Sequence, residues 1–121
     1  MRAALKRLHS PDVHDLAQFT PTEADKFGLL VQLLVGPAGS DGEESFEVIV
    51  CTAKWLAERY RAQSARTLRH HVLVHEFEYN ALKSYFEKLI GDCYGESWND
   101  VAARVSRIGR WEFEDYAPTD S

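Results

Sequence analysis

The stretch FGLLVQLLVGPAGSDGEESFEVIVCTAKWLAE, Phe27 to Glu58, decides the fold. Its first part alternates. Phe27, Leu29, Val31, Leu33 and Val35 share one face of a strand, while Leu30 and Leu34 join Gly28 and Gln32 on the other. Such a strand belongs in the middle of a sheet, covered substantially on both sides. Gly36 to Glu44 then packs three glycines, a proline and three acids between two β-like runs. That is turn chemistry, too long for a tight hairpin, and it predicts an exposed hairpin loop. Beyond the loop, SFEVIVCT sets Phe46, Val48 and Val50 on one face and β-branched Ile49 on the other. Thr52 stands where an N-cap belongs, and AKWLAERYRAQ carries Leu56, Arg59 and Tyr60 at helical spacing, so a helix of about three turns follows.

Outward from this block the same periodicities continue. RAALKRLH near the N-terminus alternates weakly and reads as a first strand, with Ala3, Leu5 and Arg7 on one face and Ala4, Lys6 and Leu8 on the other. Pro11 and Pro21 bracket DVHDLAQFT, which fits a short helical turn carrying Val13, Leu16 and Phe19. After the polar break SARTLR, the run HHVLVHEF predicts a strand centred on Val72, Leu73 and Val74. Leu82, Tyr85, Phe86, Leu89 and Ile90 follow the i, i+3, i+4, i+7, i+8 pattern of an amphipathic helix entered near Asn80.

Ser97 opens SWND, a capping-box arrangement with Asp100 in place of Glu, ahead of Val101, Ala102, Val105 and Ile108 on one stripe. Gly109 supplies the stop. The closing GRWEFEDY divides by parity, Trp111 and Phe113 on one face and Arg110, Glu112 and Glu114 on the other, with Trp111 as a core anchor. The fold class is α+β: a single domain over residues 1–121, with a mixed or antiparallel sheet of about five strands and about three helices packed on it. The third and fourth strands, joined through a helix, form a right-handed crossover if they lie parallel in one sheet.

Composition narrows the function. Fourteen basic against 19 acidic residues give a formal net charge of −5, which disfavours nucleic acid and anionic membranes and favours a basic partner. Two cysteines make no disulfide framework, and FGLLVQLLV is about half the length needed to cross a bilayer as a helix. The expected setting is the reducing cytoplasm. His70, His71 and His75 cluster, but on a strand His71 and His75 stand roughly 13 Å apart and His70 faces away, so no metal site is expected. Cys51 precedes a helix N-terminus, where a thiol pKa can fall, yet nothing in the sequence selects His9, His14 or His75 as its base, and a buried structural cysteine fits better.

The carboxylates lie in turn-like or alternating exposed sequence, and a P-loop, a GxGxxG turn and a Ser-centred elbow are absent. Arg59, Arg61, Arg66 and Arg69 form the one local basic concentration and solvate a helix and its exit. No catalytic residue, cofactor or metal ligand is therefore expected. The acidic concentrations, SDGEE and WEFED, remain.

GEESFEVIVCTAKWLAE and SRIGRWEFEDY, together with LHSPDVHDLAQFTP and FGLLVQLLVGPAG, resemble the immunity protein 8 family of bacterial polymorphic toxin systems. The strongest pieces are ESF, the VCTAKWL strand-to-helix junction and the terminal GRWEFEDY. The resemblance implies a small cytoplasmic protein that binds a cognate toxin domain and blocks it without catalysis. It carries over no site residue and identifies no toxin. On chemistry alone, Asp41, Glu43 and Glu44 in the hairpin loop and Glu112, Glu114 and Asp115 near the C-terminus are expected to face the toxin. The competing readings are a small enzyme using Cys51 and a histidine, and an interaction module unrelated to toxins.

Overall fold

The computed structural model describes residues 1–113. The long alternating run forms β2 (Gly28–Pro37), which pairs antiparallel with β1 (Ala3–His9) on one side and β3 (Glu44–Cys51) on the other. Its register sets Leu29 opposite Val50, Val31 opposite Val48 and Leu33 opposite Phe46, so the apolar parity of both strands falls on one face. All six side chains are buried.

The far side of β3 is divided between two short strands. Its C-terminal half takes β4 (His71–Leu73) in parallel, and its N-terminal half takes β5 (Arg110–Trp111) antiparallel. The sheet is therefore mixed and five-stranded. The connection from β3 to β4 runs through α1 (Ala53–Arg59), as expected for parallel neighbours, which a hairpin cannot join.

The helical layer covers the apolar face. Leu82, Phe86 and Ile90 of α2 (Tyr79–Gly91) and Val101, Ala102 and Val105 of α3 (Trp98–Val105) are buried in one cluster with the strand residues, joined by Leu16 of a short 3-10 turn, Leu16–Gln18. Val13 and Phe19 pack at its margin, as their spacing predicts. Glu78 starts α2, accepting from the backbone N–H of Asn80 (3.1 Å) and Ala81 (2.8 Å), and Ser97 starts α3 by accepting from Asp100 N–H (3.2 Å).

Four expectations are corrected. A bulge between Leu5 and Arg7 shifts the register of β1, so Leu8 stands opposite Leu33 and packs against the core with Ala3 and Leu5, while Arg7 turns to the other face. On α2 the buried line is Leu82, Phe86 and Ile90, and Tyr85 and Leu89 are exposed beside it. α1 is shorter than expected; Thr52 stands at its N-cap position as predicted, but its side chain makes no capping bond, and its hydroxyl instead accepts from Phe27 N–H (3.1 Å) and reaches Phe27 O (3.4 Å). The second face of the sheet is only half covered. Trp55 of α1 lies over Gly28, but Leu30, Leu34 and Ile49 stay partly exposed, because α2 and α3 both pack on the opposite side.

Candidate functional site

The acidic end of the molecule is assembled by strand pairing. β2 and β3 continue to Val35 opposite Glu44, so Glu44 belongs to a strand and the chain reverses over residues 38–43. Gly39 takes the left-handed conformation (φ 82°), Ala38 N–H donates to Arg2 O (2.8 Å) and Lys6 Nζ donates to Ser40 O (2.5 Å). These bonds tie the loop back to β1. Arg7, turned outward by the bulge, pairs with Glu43 Oε1 through Nη2 (2.9 Å) and Nε (3.2 Å).

β5 then brings the C-terminal acids to the same place. Trp111 stacks on Phe46, with ring centres 6.1 Å apart and planes 11° from parallel, and its indole N–H donates to Glu44 Oε2 at 2.6 Å. One residue on, Glu112 N–H donates to Ser45 O (3.1 Å), and Glu112 Oε1 accepts from Ser45 N–H (2.9 Å). Glu43, Glu44 and Glu112 thus gather at one end of the sheet, with Asp41 exposed on the loop. Glu114 and Asp115 lie outside the described residues.

Each of the three glutamates is committed to an internal bond, which sequence parity gives no hint of. One or two N–H donors use only part of a carboxylate's acceptor capacity, so each group keeps further lone pairs for a partner. A cleft of about 270 Å³ opens beside them, lined by Pro37, Ser40, Glu43, Glu44 and Trp98. Trp98 escapes sequence reasoning because it falls on the same helical stripe as Val101, Ala102 and Val105.

The closing aromatics depart from expectation in part. Trp111 is half-buried and anchors on Phe46 as predicted, while Phe113 is 41% exposed and meets Trp111 edge-on. The strand ends at Trp111, so the alternation stops before Phe113.

Burial pushes the thiols of Cys51 and Cys93 above their ordinary pKa, with the carboxylate of Asp92 adding to the effect at Cys93. A raised pKa is the opposite of what a nucleophile needs. His71 Nδ1 lies 2.9 Å from Arg69 O, which can only accept, so that nitrogen donates, and Nε2 on the other side of the ring is hydrogen-bonded to the Tyr60 hydroxyl (2.9 Å). His70 Nε2 in turn donates to Ser106 O at 2.7 Å. Arg66 lies 4.0 Å over the Tyr60 ring. Among the described residues, no three His, Cys, Asp or Glu side chains gather as metal ligands, and no helix is long and apolar enough to cross a membrane.

These observations define a small α+β protein in which the main helical layer covers one sheet face and the carboxylates of two distant segments meet at one end. Comparison with protein families gives the class a particular identity. The chain belongs to the immunity protein 8 family, whose model matches residues 3–116. Searches of curated proteins and of solved structures found no match.

Proposed function

We propose that this chain is a single-domain cytoplasmic immunity protein that binds a cognate polymorphic toxin domain and neutralises it by contact alone, without catalysis or cofactor. The observation that carries the reading is the meeting of Glu43, Glu44 and Glu112 at one end of the sheet, produced by the pairing of β5 with β3. Asp41, Glu114 and Asp115 complete the proposed toxin-facing surface. A net charge of −5 speeds encounter with a basic cleft, and internal bonds hold the carboxylates in fixed positions before the partner arrives, which lowers the ordering cost of binding. Trp98 and Phe113, beside these acids, supply apolar area for affinity.

Asp41→Lys is the cleanest test because it breaks none of the internal bonds described above. Combined with Glu114→Lys, it should slow association with the toxin domain several-fold and flatten its salt dependence, read by stopped-flow at two ionic strengths. An unchanged association rate and an unchanged salt slope would remove the acidic surface from the interface.

A further inference from the structure

The side of the sheet that ends in β5 also ends in β4, and β4 carries an unused edge. Ile49 N–H donates to His70 O and Val74 N–H donates to Cys51 O, both at 2.9 Å, so the even-numbered residues of this segment face β3. By strand alternation, the backbone N–H and C=O groups of His71 and Leu73 point the other way, and among the described residues β4 has no neighbouring strand there.

Beside that edge, between β4 and α2, opens a concavity of about 410 Å³. Val74, Phe77 and Leu82 contribute apolar surface to it, and Leu73 and Tyr85 line it while remaining 61% and 50% exposed. Glu76 and Glu78 also line it, and both are exposed. An unpaired strand edge beside an apolar cavity with an acidic rim is the arrangement that takes up an extended peptide: main-chain bonds supply registration and a pocket takes an alternate side chain.

We infer that the outer edge of β4 receives an extended segment of the toxin domain, with one large apolar side chain in the cavity and a Lys or Arg beside Glu76. This rests on the toxin-binding reading above and adds a second contact to it. Two features favour that occupant. The rim carboxylates call for a basic segment, as does the charge of the whole chain. β4 and β5 also share one side of β3, so a toxin domain lying along that side would span the roughly 20 Å from the acidic end at Ser45 to the groove beside Cys51.

Hydrogen exchange on the full chain, alone and with the cognate toxin domain, tests this. In the complex the amides of His71 and Leu73 should exchange at least about ten-fold more slowly, while Val72, which already faces β3, changes little. Leu73→Pro removes an outward N–H without touching the ladder to β3, and should bind about ten-fold more weakly than Leu73→Ala. Binding of the wild type with unchanged His71 and Leu73 exchange overturns the groove and leaves the toxin-binding reading standing. No binding by the wild type overturns that reading and the groove with it. If protection instead rises with the concentration of the chain alone, alongside a dimer mass in light scattering, the occupant is a second copy and the inference is overturned.

Discussion

Gly36 sits where a side chain has no room, since a Cβ there would collide with the backbone O of Gly42 across the hairpin. Backbone cannot swing aside as the end of a side chain can. Gly36→Ala should therefore destabilise the protein by about 1–3 kcal/mol, read from the urea midpoint. Residue chemistry also bears on the enzymatic alternative. Cys51 is fully buried and both thiols are held above their ordinary pKa by burial, so at neutral pH both should react with a thiol reagent far more slowly than a free cysteine, Cys51 the slower. Rapid labelling of Cys51 in the native protein would contradict that environment. The sequence favours a structural cysteine from the burial habits of the residue type, but the cover over Cys51 is built by β4 and is not visible in the residues around it.

At the scale of elements, α2 separates what periodicity predicts from what packing uses. Five apolar residues recur at helical spacing, but only Leu82, Phe86 and Ile90, one line of i, i+4 positions, are buried. Phe86→Ala should cost about 3–5 kcal/mol, as expected for an aromatic removed from a close-packed core. Tyr85→Ala, at an exposed position one residue away, should cost less than about 1 kcal/mol, both variants being read from thermal melts. Comparable losses at the two positions would mean that the helix is rotated from the orientation described.

The shorter α1 has no buried residue and is tied down by ion pairs, Lys26 with Glu58 (2.9 Å) and Lys54 with Asp25 (2.5 Å). Lys54 holds the Asp25 carboxyl below its ordinary pKa, and Lys26 does the same for Glu58. A carboxyl lowered in the folded state contributes stability that is present above its unfolded pKa and lost as pH falls through the folded value. The α1 amides should therefore exchange faster, relative to their intrinsic rates, as pH drops below about 4, while those of α2 keep their protection. Both pairs are solvent-exposed, so the effect stays local to α1.

Across the whole molecule, the order of elements, the α+β class and the buried face of β2 and β3 were legible from residues alone. Side-chain periodicity follows from backbone geometry within one segment: two residues per repeat in a strand, 3.6 in a helix. The chain therefore states locally which of its faces is apolar. Neighbours are another matter. Parity says that Trp111 and Glu112 point to opposite faces, but it does not say that β5 will share the side of β3 with β4, or that Glu112 will close on Ser45 beside Glu44.

The bulge in β1 was equally hidden, because one extra residue reverses the parity of everything after it while leaving composition unchanged, and it is the bulge that turns Arg7 toward Glu43. The sequence by itself determined the elements, their apolar faces and the acidic balance. Only the tertiary structure decided which carboxylates meet and that, among the described residues, no strand covers the outer edge of β4. Those outcomes depend on contacts between segments far apart in the chain, chosen by the packing of the whole core and leaving no mark on either segment alone.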